Sequence, residues 1–314
     1  MSLTPASQLR VAFVRQRYNP HGGAERFIER AADALERDGT EVTLIARSWK
    51  DGARRVLKVD PPYAGRLWRD ASFAKAARAA WQRTGFDLVQ SHERIPGCDL
   101  YRAGDGVHAQ WLEHRLAGAS RLERLGVRSS PYHRYVCAAE RAMFEHPRLR
   151  AVICNSRMVR DEILRRFRIG PEKLHVIYNG VDLAFFRPGT TEKSNSGKTE
   201  VLFVGSGFAR KGLDTLLRAV ARVQCRLTVV GRDREQARFT VMAKQLEIEE
   251  RVTFAGAVED VRPYYAAADL LVLPTRYDPF PNVVLEAFAM GVPAIVSDQC
   301  GAAEIIVPGE SGYV

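Results

Sequence analysis

The stretch TRYDPFPNVVLEAFAMGVPAIVSDQCGAAE, residues 275–304, decides the fold class. It follows the apolar run 270–273 and contains a second apolar run, 293–296, with a helical segment between them. Such alternation is typical of a parallel sheet covered by helices. Asp278 lies in the loop after the first run and Glu286 lies inside the helical segment. Ligands bind at the carboxyl ends of such strands, so these two acids are predicted to contact one extended polyhydroxyl ligand. Two strands and a helix of any doubly wound domain would give the same pattern without a site.

The same alternation continues on both sides of this stretch. Strands are predicted at 9–14, 41–46, 86–91, 151–154 and 174–178, and again at 201–204, 227–230, 252–254 and 270–273. A polar segment rich in Ser, Thr, Gly and Lys, residues 188–198, separates the two series. We therefore expect an α/β protein with two Rossmann-like domains, 1–185 and 186–314, which face each other across a ligand cleft.

The composition restricts the partners and the compartment. The chain has 47 Lys and Arg against 37 Asp and Glu, a net charge of +10, which favours an anionic partner such as nucleic acid, an acidic membrane surface or a phosphorylated ligand. The sequence has no apolar run long enough to span a bilayer, and its start has no apolar signal core. The five cysteines form no CxxC pair. We expect a cytoplasmic protein with reduced thiols and no metal framework.

Two glycine-containing loops are candidate anion sites. The loop GSGFARKG, residues 205–212, joins a strand to a helix, so its backbone N–H groups and the two cations Arg210 and Lys211 could hold a diphosphate. Its glycine spacing differs from the G-x-G-x-x-G of dinucleotide enzymes, which argues against an NAD-dependent oxidoreductase. Gly22 and Gly23 follow the first strand, where they allow close approach of the backbone to a ligand.

These motifs, with N-S-R at 155–157 and N-G-V-D at 179–182, occur in an order that resembles glycosyltransferase family 4. The resemblance implies the GT-B fold and a metal-independent, retaining hexosyltransferase that uses a UDP-sugar and no cofactor. It implies that Glu286 binds the ribose hydroxyls and Asp278 binds the transferred sugar. Asp278 replaces the usual Glu, and Pro281 replaces a Gly, so the identity of the sugar is open. The implied donor-binding residues are Gly22, Gly23, Gly205, Arg210, Lys211, Asp278, Phe280, Pro281, Asn282 and Glu286.

The first-domain segment HERIPGCDLYRAGDGVHAQW, residues 92–111, carries the other candidate catalytic groups. A general base or a sugar-orienting group is expected after a first-domain strand. His108 is the best match to the family histidine that lies near the transferred sugar, and Asp99 and Asp105 are the other candidates, with Arg210 and Lys211 stabilising the departing diphosphate. The I-P-G-x-D-x-Y run resembles enzymes that add glucose to the inner-core heptose of bacterial lipopolysaccharide.

The resemblance and the charge together predict the partners. Residues 110–150 interleave arginines with aromatic and leucine side chains, which suits a membrane-surface helix, a nucleic-acid surface or an ordinary solvated face. We expect a monomer, peripheral to the inner face of the bacterial inner membrane, that binds a nucleotide-sugar and a glycolipid acceptor but no nucleic acid. Alternatives are a capsule, exopolysaccharide or phosphoinositide-type acceptor, or a non-catalytic module that binds nucleotide-sugars or polyanions. The sequence ends where the family continues, so a truncated C-terminus is also expected.

Overall fold

A computed structural model of the chain describes residues 8–18, 23–50, 52, 54–189 and 197–314. The chain divides into two compact units, residues 1–177 and 178–314. The predicted boundary lay between 185 and 186. Phe186 is buried in the core of the second unit, where its ring packs 6.3 Å from that of Tyr265, so the segment before it belongs to the second unit.

The first unit has a seven-stranded parallel sheet in the order β3-β2-β1-β4-β5-β6-β7. Its strands are β1 (Arg10–Val14), β2 (Glu41–Ala46), β3 (Arg55–Lys58), β4 (Leu88–Ser91), β5 (Leu100–Ala103), β6 (Ala151–Cys154) and β7 (Leu174–Val176). Its helices are α1 (Gly23–Arg37), α2 (Gly65–Thr84), α3 (His108–Ala117), α4 (Arg121–Ser129), α5 (Pro131–Phe144) and α6 (Arg157–Arg166). Separate clusters of buried apolar side chains pack around this sheet.

The second unit has a six-stranded parallel sheet in the order β10-β9-β8-β11-β12-β13. The strands are β8 (Thr199–Val204), β9 (Cys225–Val230), β10 (Val252–Gly256), β11 (Leu270–Leu273), β12 (Ala294–Val296) and β13 (Gly312–Tyr313). The helices are α7 (Leu213–Val220), α8 (Gln236–Gln245), α9 (Arg262–Ala267) and α10 (Asn282–Ala289). One continuous apolar core holds them together.

Each sheet has a point at which its strand order reverses, between β1 and β4 in the first unit and between β8 and β11 in the second. The loops after these strands diverge and leave a crevice at the carboxyl edge of the sheet, where open α/β sheets bind ligands. The loop 205–212 follows β8, and Asp278 follows β11. The strand order thus brings together two motifs that are far apart in the chain.

Among the described residues, no helix is both long and apolar enough to cross a bilayer.

Candidate active site

Three glycines of the loop 205–212 have a positive φ, and two of them also have no space for a Cβ atom. Gly205 has a φ of +141°, and a Cβ atom there would lie 2.6 Å from Cε of Lys211. Gly212, which precedes α7, has a φ of +75°, and its Cβ would lie 1.9 Å from the carbonyl oxygen of Pro274. Buried Phe208 anchors the middle of the loop. Glycine at 205 therefore leaves the space that the Lys211 side chain occupies.

Asp278 forms ion pairs with both cations of this loop. Its Oδ2 lies 3.1 Å from Nη1 of Arg210 and 3.4 Å from Nζ of Lys211. Arg210 Nη1 also donates to the carbonyl of Tyr277 at 2.9 Å. Asp278 and Lys211 are each 7% exposed. Two cations share one carboxylate, so the cluster keeps an excess positive charge that an anion can bind.

Glu286 lies on α10 and is almost completely buried. Its Oε2 accepts a hydrogen bond of 3.0 Å from the hydroxyl of Tyr265, which lies on α9 and is also within 3.2 Å of the carbonyl of Val283. Tyr265 was not among the residues predicted from the sequence. Its contact with Glu286 joins two helices that are separated by β11, and no spacing pattern indicates such a pairing.

The loop 279–282 is held by Asn179, the first residue of the N-G-V-D motif. Asn179 Nδ2 donates to the carbonyl of Phe280 at 3.2 Å and to Oδ1 of Asn282 at 2.7 Å. The Phe280 ring is buried and packs 5.3 Å from that of Tyr178. Pro281 immediately precedes α10. Because the Phe280 side chain points into the core, any contact of this loop with a sugar must come from its backbone and from Asn282.

The first unit contains a cavity of about 530 Å³ near the ends of β1, β4 and β5. Among the residues that the structure describes, its lining includes equal numbers of arginines and carboxylates, and aromatic side chains cover another part of its wall. The charged lining residues are Arg15, Arg17, Arg69, Arg94, Glu25, Asp70, Glu93 and Asp105; the others include His108, Tyr132 and Tyr135. Balanced charge with many hydrogen-bonding groups suits a polyhydroxyl ligand.

Arg15 contacts three carboxylates on one side of the cavity. Its Nε donates to Oε1 of Glu25 at 2.9 Å, and its Nη1 lies 3.6 Å from both Glu93 Oε1 and Asp105 Oδ2. Burial raises the pKa of Glu93, although Arg15 opposes this shift. The Asp105 side chain is 55% exposed. Of the three acids, Asp105 is therefore the most accessible to a ligand.

His108 is the first residue of α3 and lines the same cavity. Its backbone N–H donates to Glu140 Oε1 at 2.9 Å, and its Nε2 lies 3.1 Å from Nδ1 of His133. Burial lowers the pKa of His108 to about 3, and the charges of Arg94 and His133 act in the same direction. His108 is therefore a neutral imidazole near pH 7, able to orient a hydroxyl by hydrogen bonding.

Asp99 lies at the opposite end of β5 from Asp105 and His108. It precedes β5, whereas the other two follow this four-residue strand, which spans about 13 Å at ~3.3 Å per residue. The Asp99 carboxylate is buried and accepts hydrogen bonds from the backbone N–H of Val89 at 2.9 Å and from Arg148 Nε at 3.0 Å. Asp99 is therefore bound into the opposite edge of the sheet, and we assign it a structural role in place of the predicted catalytic one.

The remaining predicted positions are only partly covered by the structure. Gly22 lies outside the described residues, and Gly23 is the first residue of α1.

Among the described residues, no group of three or more His, Cys, Asp or Glu side chains is arranged to hold a metal ion.

Two Rossmann-like units with parallel sheets, and a cationic loop after the first strand of the second, define a glycosyltransferase of the GT-B class. The chain belongs to Glycosyltransferase Family 4, whose profile matches residues 21–185. The profile of the Glycosyl transferases group 1 matches residues 190–314. The predicted family and fold class are confirmed, and the protein is a glycosyltransferase.

Several curated proteins are similar over most of their length. The lipopolysaccharide glucosyltransferase WaaG of Escherichia coli (strain K12) is 28% identical over 97% of this chain and 84% of its own. The lipopolysaccharide core biosynthesis glycosyltransferase LpsE of Rhizobium meliloti (strain 1021) is 26% identical, with coverages of 95% and 82%. The D-inositol 3-phosphate glycosyltransferase of Rhodococcus opacus (strain B4) is 26% identical, with coverages of 93% and 74%.

Solved structures agree with this assignment. The crystal structure of WaaG, a glycosyltransferase involved in lipopolysaccharide biosynthesis, superposes with a TM-score of 0.81 and 26% identity, covering 97% of this chain and 85% of that one. Anabaena Alr3699/HepE in complex with UDP-glucose gives a TM-score of 0.71 at 21% identity, with coverages of 98% and 85%. The second likeness concerns the fold alone.

Proposed function

We propose that the protein is a retaining, metal-independent hexosyltransferase that moves glucose from UDP-glucose to a lipopolysaccharide core acceptor. The observation that carries the donor assignment is the cluster of Arg210, Lys211 and Asp278 at the strand-order reversal of the second unit. The similarity to a lipopolysaccharide glucosyltransferase supports the sugar and the acceptor, and the UDP-glucose in a structure of the same fold supports the donor.

In this proposal the diphosphate binds the two cations that form ion pairs with Asp278. Arg210 and Lys211 then neutralise the two phosphate groups, and the Asp278 carboxylate is released to accept hydrogen bonds from the sugar hydroxyls. Glu286, held by Tyr265, accepts hydrogen bonds from the ribose hydroxyls. The cations are already in place before the ligand binds, so their arrangement costs little reorganisation during the reaction.

The proposed reaction is a front-face displacement. The acceptor oxygen forms a bond to the anomeric carbon on the face from which the diphosphate leaves, and the bond between that carbon and the diphosphate oxygen breaks. The hydroxyl proton passes to the departing diphosphate oxygen. Arg210 and Lys211 stabilise the negative charge that develops on this leaving group, which is where electrostatic catalysis contributes most.

The acceptor sugar is assigned to the cavity of the first unit. Neutral His108 and the exposed carboxylate of Asp105 can orient hydroxyl groups there, so we assign His108 to the acceptor and not to the transferred sugar that the resemblance implied. The balanced charge of the described lining suits a sugar better than a polyanion. Similarity to D-inositol 3-phosphate glycosyltransferases favours a second candidate within the same class, a transferase for a small phosphorylated acceptor.

We further propose that helix α4 binds the anionic inner membrane surface. The helix begins with a capping box between Ser120 and Glu123, and none of its residues is buried. Leu122 is 82% exposed and Leu125 is 65% exposed. Three arginines, Arg121, Arg124 and Arg128, lie in the same helix. Exposed leucines with basic neighbours are typical of helices that lie at a lipid interface.

The variant Leu122→Ser with Leu125→Ser is expected to lower binding to phosphatidylglycerol vesicles at least tenfold, because each leucine contributes ~1.5–3 kcal/mol when it enters an apolar phase. Co-sedimentation measures the effect. Val241→Ser, at an apolar position on α8 that is 56% exposed, is the matched control and should leave binding unchanged. Equal losses in both variants would contradict a specific role of α4.

The donor assignment is tested by thermal unfolding with UDP-, GDP- and ADP-glucose. A ligand present at 100 times its Kd stabilises the folded state by ~2.7 kcal/mol. This corresponds to a rise of roughly 5–10 °C in Tm for a unit of about 150 residues. We expect UDP-glucose to give the largest rise. A larger rise with GDP- or ADP-glucose would overturn the uridine assignment.

A further inference from the structure

Helix α5 presents two buried polar side chains to the start of α3. His133 and Glu140 are seven residues apart, about two helical turns, so they lie on the same face of α5. His133 is 8% exposed and Glu140 is completely buried. Both contact His108, one through its ring and the other through its backbone. None of the sequence motifs had pointed to either residue.

Glu140 fixes the backbone of His108. Its Oε1 accepts from the His108 N–H at 2.9 Å and from Arg94 Nε at 2.8 Å. Arg94 Nη2 also donates to the carbonyl of Gly106 at 3.0 Å. The carboxylate therefore joins the first turn of α3 to the loops that follow β4 and β5. Because Glu140 is buried and paired with a cation, these contacts place His108 at a defined position on the cavity wall.

His133 engages the ring of His108. Its Nδ1 lies 3.1 Å from His108 Nε2, and Trp111 limits movement of the pair, with its ring 5.3 Å from that of His108. Burial lowers the pKa of both imidazoles, so both are neutral near pH 7. Two neutral imidazoles at this distance share a single proton in one hydrogen bond. This hydrogen bond occupies Nε2 of His108, so Nδ1 is the ring nitrogen that can contact a ligand.

We propose that His133 is a positioning residue that holds His108 in one tautomer and one ring orientation, so that Nδ1 of His108 contacts a hydroxyl of the sugar in the first-unit cavity. This inference rests on the proposed function, in which that cavity takes the acceptor. The hydrogen bond couples the two tautomers, because a change of tautomer at His108 keeps the bond only if His133 changes its tautomer as well. His133 itself does not line the cavity, so it acts through His108.

The test uses His133→Phe, which keeps an aromatic ring but removes Nδ1, and His133→Asn, whose amide can replace Nδ1 in the hydrogen bond. Rates are measured with UDP-glucose and lipopolysaccharide truncated after its heptose residues. We expect His133→Phe to lower kcat about tenfold, the effect of one hydrogen bond. The KM for UDP-glucose should stay unchanged, and His133→Asn should recover most of the rate. His175→Phe, at an exposed histidine on β7, is the matched control and should behave as wild type.

Imidazole ¹⁵N NMR of the ligand-free protein gives a readout that does not depend on turnover. We expect a single tautomer of His108 in the wild type and a mixture in His133→Phe. A mixture in the wild type would overturn the inference even if the enzyme transfers glucose. Wild-type kcat in His133→Phe would also overturn it, as would a loss that His133→Asn does not recover. Absence of any turnover in the wild type, with a single His108 tautomer, would instead count against the proposed function.

Discussion

Replacement of Arg210 and Lys211 by Ala together is expected to lower kcat by roughly 10³-fold, because removal of one preorganised group that stabilises transition-state charge typically costs 10²–10³-fold. Both cations lie at the loop that we assign to the diphosphate, and the leaving group develops negative charge there. Initial rates with UDP-glucose at saturating acceptor measure the effect. Arg276→Ala is the matched control: Arg276 forms an exposed ion pair with Asp214 close to the same loop, so its loss should change kcat little.

The same double variant is expected to be less stable, because it leaves the buried Asp278 carboxylate without its two cations. Breaking a buried pair from one side costs about 3–5 kcal/mol. Addition of Asp278→Asn removes the unpaired charge. The triple variant should therefore recover most of the Tm of the wild type and almost none of the turnover. Recovery of both would show that the cations serve only to neutralise Asp278.

Glu286→Ala is expected to weaken the binding of UDP by about 30-fold or more. Hydrogen bonds to charged groups contribute ~1.5–3 kcal/mol each, and 1.4 kcal/mol is a factor of ten. UDP without its sugar is the appropriate ligand, because the proposal assigns Glu286 to the ribose and not to the transferred hexose. Isothermal titration calorimetry measures the change.

Tyr265→Phe separates a ribose contact from a structural role of Glu286. It removes the hydroxyl that donates to Glu286 at 3.0 Å but keeps the carboxylate itself. We expect Tyr265→Phe to bind UDP within about tenfold of the wild type, because one supporting hydrogen bond is worth ~1 kcal/mol. Unchanged UDP affinity in Glu286→Ala would contradict the ribose assignment.

Most of the fold could be predicted from the alternation of apolar runs and helical segments, but two strands were missed. β3 and β5 are four residues long and contain charged side chains. Such short strands give little periodicity to detect. The omission of β5 mattered for the site, because Asp99, which precedes this strand, was grouped with Asp105 and His108, which follow it.

The candidate donor residues were predictable from motifs, whereas their partners were not. Arg210 and Asp278 are 68 positions apart, and only the neighbouring placement of β8 and β11 brings them together. Tyr265, His133 and Glu140 support candidate site residues from other helices. Sequence spacing within one element reveals shared faces, but contacts between elements depend on packing that a single sequence does not show.

The decisive measurement is the transfer of labelled glucose from UDP-glucose to lipopolysaccharide truncated after its heptose residues. We expect acceptor-dependent release of UDP, one glucose added per UDP released, an α-linked product from the α-linked donor, and no loss of rate in EDTA. The claim would be contradicted by a protein that binds UDP-glucose but transfers no sugar to this acceptor, or by a product with inverted configuration.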